Sequence, residues 1–225
     1  MRPFQALRMR KPGGAPLPAP RSSNSVAINL TNTCTIALPS GMVAGDSLVL
    51  YIGHSWNMTG TSWSGSHFTP SSLTGSNYNG YTLSGVVNAT DIAAGSLTIS
   101  FGGNGYGWVC AVALIGGVAP NYRDLGASRN GTGASSRTVT TGTGASVAPG
   151  GAVQIGDYVI EFGSAWTATA ASSSSLGTTL ESYSSANVSG ICRYALAASG
   201  GNQSGTISYS GSPGGDYQSI IAVGP

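Results

Sequence analysis

GDSLVLYIGHSW, Gly45 to Trp56, and GDYVIEFGSAW, Gly156 to Trp166, are one phrase written twice. Each opens on a Gly-Asp pair suited to a turn, runs through a short apolar stretch, and reaches a glycine and then a tryptophan. Aligned on that later glycine, Gly53 matches Gly163 and Trp56 matches Trp166, and the same offset sets Leu48, Leu50 and Ile52 against Tyr158, Ile160 and Phe162. Side chains alternate across a strand, so this alignment expects the same buried face in both, with the residue missing after Asp157 absorbed in the turn. The repeat is defined by Gly45, Asp46, Gly53, Trp56, Gly156, Asp157, Gly163 and Trp166, and the two tryptophans are expected to plug the ends of equivalent cores.

Working outward, NGYTLSGVV from Asn79 parallels SGICRYALA from Ser189, LTISFGG from Leu97 parallels GTISYSG from Gly205, and AVALIG from Ala111 parallels SIIAVG from Ser219. Four segments recur in one order, as tandem copies do when changes collect in turns. Each copy reads as short strands parted by glycine-rich turns such as GGNGYG at Gly102 and SGSPGG at Ser210. The expected fold is all-β: two tandem, sequence-related antiparallel sandwich or jelly-roll-like modules behind an extended N-terminal arm. The arm and spacer take residues 1–25, the first module 26–118, a connection 119–134 without apolar periodicity, and the second module 135–225.

Only 7% of the 225 residues are charged and 35 are glycine, a balance that favours turns and extended chain over helix. The net charge of +2 hides a split. Arg2, Arg8, Arg10, Lys11 and Arg21 crowd the first 21 residues, which hold no acid, whereas four arginines face seven carboxylates in the rest. A nucleic-acid-coating body does not fit that balance. The arm mixes its cations with Phe4, Leu7 and Met9, then turns Pro-rich, which favours an extended spacer suited to docking on a partner. It lacks the apolar core of a signal peptide, and no stretch has the roughly 18 apolar residues of a membrane span. A soluble, unexported chain with no membrane partner is expected. Cys34, Cys110 and Cys192 lack CxxC spacing and read as buried thiols.

The residues spell out no reaction. His54 and His67 have no partner at metal-ligand spacing, and no GxSxG elbow is present. Asp46, Asp91, Asp157, Glu161, Glu181 and Asp216 could supply an acid/base pair only by chance, since Asp46 and Asp157 occupy repeated turns. GGNGYG lacks the strand, helix and acidic partner of a dinucleotide site and reads as a turn. No catalytic residue, metal or cofactor is expected. Trp63, Tyr78 and Tyr81 lie in loop-like stretches, where aromatics can stack on sugar rings or meet another protein.

The succession of turn, GD, apolar strand, GxxW, polar stretch, aromatic strand, GSLTISFGG and closing AVALIGG resembles β-modules of structural proteins of tailed bacteriophages, above all fibre and head-decoration proteins. The resemblance spans most of residues 26–225. It implies a non-enzymatic virion component, a capsid decoration or short head or tail fibre. Capsid or tail proteins of the same particle would be its partners, with a homo-oligomer, trimers included, as its state. In such proteins an N-terminal arm commonly attaches to the particle, which gives Arg2, Phe4, Leu7, Arg8, Met9, Arg10, Lys11 and Arg21 an anchoring role. The alternative is a glycan-binding adhesin or receptor-binding module in which Trp63, Tyr78 and Tyr81 touch a host surface glycan.

Overall fold

The structure, a computed structural model, describes residues 18–55, 58, 62–64, 69–73, 78–115, 121–130, 135–142, 153–166, 171–173 and 176–224. It is all-β and antiparallel, with one six-residue helix among the described residues. The first half holds β1 (Ser22–Ala37), β2 (Ser47–Ser55), β3 (Ser62–Trp63), β4 (Thr69–Leu73), β5 (Tyr78–Val86), α1 (Ala89–Ala94) and β6 (Ser96–Leu114). The second holds β7 (Asn121–Asn130), β8 (Ser136–Thr140), β9 (Tyr158–Trp166), β10 (Ala171–Ser173), β11 (Thr178–Ser184), β12 (Val188–Leu196), β13 (Ser204–Tyr209) and β14 (Gly215–Gly224). The short helix forms where Asn88 caps its start in a capping box with Asp91 and Gly95 ends it in the left-handed region.

The halves share one pairing scheme. The first sheet runs β1-β6-β2-β5-β4, with β3 on the far part of β6; the second runs β7-β14-β9-β12-β11, with a separate β8-β13-β10 sheet. The long hairpin of β1 and β6 does in one piece what β7 with β14 and β8 with β13 do in two. Its bend lies at the register shifts between Asn29 and Thr33, where Leu30 takes φ 53°. There GGNGYG is not a turn between strands but part of continuous β6, while SGSPGG does break the chain between β13 and β14. The region 119–134, expected as a connection, contributes β7 to the edge of the second sheet. Residues 22–25, expected to belong to the arm, lie in β1.

The two large sheets lie face to face. Their common core joins Val49, Tyr51, Trp108, Val112 and Leu114 of the first half to Tyr158, Ile160, Phe162, Tyr217, Ile221 and Val223 of the second. A second core, with Leu48, Leu50, Ile52, Cys34, Ile36, Leu97, Ile99 and Val109, fills the space where the β1/β6 hairpin folds back over its own sheet. Smaller clusters around Val139, Ile220, Ile191 and Ile207 do the same under the β8-β13-β10 sheet. Four β layers result, with the two halves meeting in the middle.

The contacts across the middle are reciprocal. A methyl group on Gly80 would lie 1.9 Å from the Tyr217 ring, and one on Gly190 would lie 2.2 Å from the Trp108 ring. Thr82 and Ser219 meet at 3.0 Å between hydroxyls, and at the corresponding place the thiols of Cys192 and Cys110 interact. Tyr51 stacks on Phe162 at 5.2 Å, and two residues further along both strands Gly53 lies against Ser164. This is the pattern of a two-fold relation, with its axis running along β2 and β9 and both strands pointing the same way.

That relation corrects the expected alignment. Gly45 and Gly156 both take positive φ, 98° and 86°. Asp46 accepts from Val43 N at 3.0 Å and Asp157 from Gln154 N at 2.8 Å, and the Gly45/Val87 and Asp46/Val87 backbone bonds recur as Gly156/Ala197 and Asp157/Ala197. From these turns the offset continues without a gap, so Gly53 corresponds to Ser164, not to Gly163. The expected partners Leu48, Leu50 and Ile52 face the outer core, whereas Tyr158, Ile160 and Phe162 face the central one. Ala111 with Ser219 is slipped in the same way: Val112 and Ile221 are the true equivalents, paired with Val49 and Ile160 respectively. Gly80 with Gly190 and Thr98 with Thr206 are the matches that the pairing gives.

Candidate functional site

Because the axis runs along the strands, both Gly-Asp turns lie at one end of the molecule. The chain termini of the described fold lie there too. Arg21 N donates to Ala113 O at 2.8 Å, and Gly224 closes β14 opposite Asn121. Arg21 is held by the first half's turn: its Nε lies 2.9 Å from Asp46 Oδ2 and its NH2 3.3 Å from Asp46 Oδ1. Asp46 is buried and already fixed by Val43 N, so the guanidinium meets a preset carboxylate in two-pronged geometry. Three residues earlier, Pro18 O accepts from the Tyr158 hydroxyl of the second half. Burial, with Tyr194 nearby, pushes that hydroxyl up to about 12, which keeps it a donor. Residues 18–21 are thus tied to both halves. Three of the exposed large apolar residues, Val43, Val86 and Ile155, flank the same end, while Leu30 sits at the β1 bend.

Of the arm residues expected to anchor, only Arg21 falls among the described ones, and its side chain is engaged within the fold. Arg2, Phe4, Leu7, Arg8, Met9, Arg10 and Lys11 lie outside them, as do Trp56 and the side chain of Tyr78. Trp166 is half-buried against the central core.

The structure brings Trp63 and Tyr81 together with ring centroids 6.2 Å apart, and with them His54 and Phe101. Both Trp63 and Tyr81 are half-buried and packed against the outer core of the first half. His54 is fully buried between the Tyr81 and Phe101 rings, and its Nδ1 lies 3.0 Å from Ser55 O. Nε2 has no partner. Burial lowers its pKa to about 4, against the smaller opposing effect of the Ser55 carbonyl, so the ring is neutral at physiological pH.

A polar belt that sequence reading did not assemble lies in the outer core of the second half. Gln218 Nε2 donates to Glu161 Oε1 at 3.0 Å, and Arg137 Nε to Asp216 Oδ2 at 2.7 Å, with all but Arg137 fully buried. Burial raises the Asp216 pKa against the lowering effect of Arg137. The corresponding residues of the first half are Leu50, Val109, Cys34 and Gly107, so no repeated pattern could have signalled the belt. Glu161 and Asp216 are both buried and bonded to neighbours inside the fold. Among the described residues there is no cluster of three metal-ligating side chains and no helix long and apolar enough to cross a membrane. No family model, curated protein or solved structure matches the chain.

Proposed function

We propose that the chain is a non-enzymatic structural component of a phage particle, a capsid decoration or short head or tail fibre, attached through its N-terminal arm to a coat or tail protein. The observation that carries this reading is the root of the arm. Arg21 on Asp46 and Pro18 on Tyr158 clamp residues 18–21 to both halves at the end where Gly224 also lies, so the basic, Pro-rich sequence that precedes residue 18 is joined to a fixed point. A fixed base reduces the ordering entropy lost when the segment docks. The duplicated pairing scheme supports a second part of the proposal: the two halves descend from one module whose dimer became a single chain, with the opposite end of the sandwich directed away from the particle. Copies arrayed on a particle, as a homo-oligomer or singly, gain avidity from many weak docking events.

Removal of residues 2–17, which leaves Pro18 and Arg21 in place, tests this. The truncated protein should melt as the full chain does and be missing from particles purified from an infection that supplies it. Normal incorporation would overturn the anchoring role.

A further inference from the structure

Two free cysteines face each other across the central core. In the pairing of the first sheet Cys110 lies beside Ser25 of β1 and Tyr51 of β2; in that of the second, Cys192 lies beside Glu181 of β11 and Phe162 of β9. The neighbours on either side meet across the sheets. Ser25 Oγ donates to Glu181 Oε2 at 3.0 Å, and the Tyr51 ring stacks on Phe162 at 5.2 Å. Between those two contacts, in the same rows across the strands, the thiols of Cys110 and Cys192 form a hydrogen-bonded pair. The two-fold relation of the halves gives the approach a second measure, because Cys192 and Cys110 stand where Thr82 and Ser219 stand, and those hydroxyls are 3.0 Å apart. Cys34 has no place in this row. It lies in the outer core of the first half.

We infer that Cys110 and Cys192 are a redox site, whose oxidation joins the two sulfurs in a disulfide that ties the first half to the second through the middle of the sandwich. The oxidant is a small-molecule disulfide of the glutathione class. One protein thiolate attacks it, releasing one small thiol and leaving a mixed disulfide; the other protein thiolate then displaces the second small thiol as the protein disulfide forms. Two electrons pass from the protein sulfurs to the reagent, and the two thiol protons end on the released thiols. A disulfide spans Cα atoms roughly 4.4–6.8 Å apart. Strands β6 and β12 already approach within 8 Å between Cα atoms, so closing the bond asks for a small inward movement of the sheets. Burial holds the Cys110 thiol protonated, well above its ordinary range, so the folded chain reacts slowly. The way in is the β1/β11 edge, where half-buried Ser25 and Glu181 cover the pair. This link is independent of attachment through the arm.

The test is to unfold and reduce the full chain in urea, then refold it in a buffer of oxidised and reduced glutathione, which gives the reagent access to both sulfurs. Acid quenching, alkylation and peptide mass mapping then read the link. A peptide joining Cys110 to Cys192 is expected, with Cys34 alkylated as a free thiol. The linked chain should melt about 5–15 °C above the reduced chain, and adding reductant should return the midpoint to its starting value. The folded chain should favour the link at least about 30-fold over the chain held in urea, since fold and bond stabilise each other by the same factor. All three cysteines alkylated after refolding, a link through Cys34, a link only between separate chains, or a linked chain that melts no higher than the reduced one would each overturn the inference.

Discussion

Gly80 and Gly190 set how closely the two halves approach. Each lies under an aromatic ring of the opposite half, Tyr217 and Trp108, and an added methyl group would sit inside ring contact distance. Gly80→Ala and Gly190→Ala should each destabilise by about 1–3 kcal/mol, the usual cost of overpacking a filled core, as read from urea midpoints at constant slope. Tyr51 is the polar counterpart of that fit: its hydroxyl lies 2.7 Å from Ser164 Oγ and donates to Tyr217 O at 2.6 Å. His54 gives the stability a pH limb. In the unfolded chain its imidazole takes a proton near 6.5, but in the fold only near 4. The stability it contributes is therefore complete above pH 6.5 and lost as pH falls toward 4, by about 3 kcal/mol at the end of that window. Chemical denaturation at stepped pH should show this loss, and His54→Gln should flatten it.

At the scale of elements, the reciprocal pairs offer an exchange. Thr82 with Ser219 and Cys192 with Cys110 fill corresponding places across the central core. Putting the hydroxyl pair in both places, through Cys110→Ser together with Cys192→Thr, should cost less than the sum of the two single substitutions in urea unfolding, because the two new hydroxyls can bond each other. The belt under β8 and β13 predicts the opposite behaviour. Arg137→Ala strips the partner from a fully buried carboxylate, Asp216, and should cost about 3–5 kcal/mol in thermal or urea unfolding. Elements also show where the sequence could be read and where it could not. The Gly-Asp turns are legible because positive φ and a carboxylate bonded back three residues demand those residue types. The phase of β2 and β9 is not, since every residue of β2 and all but Trp166 of β9 are buried. With apolar cover on both faces, no polar alternation marks which side is which, and a match on glycine and tryptophan slips by one residue.

For the whole molecule, the central core belongs to neither half. Unfolding should therefore be one cooperative transition, with the same midpoint by tryptophan fluorescence and by far-ultraviolet circular dichroism. Residues 18–118 produced alone would expose the faces of Val49, Tyr51, Trp108 and Val112, and light scattering should report a self-associated species in place of a monomer. The sequence by itself determined that this is an all-β chain with a twice-used turn and basic, Pro-rich first 21 residues, because turn chemistry, low charge and glycine content act locally. Tertiary structure alone decided that the two halves form the middle of one four-layered body, that Arg21 and Gly224 share an end, and that Glu161, Gln218, Arg137 and Asp216 meet. Those outcomes depend on which face of each doubly buried strand turns toward its neighbour, and a one-dimensional pattern of apolar residues does not encode that choice.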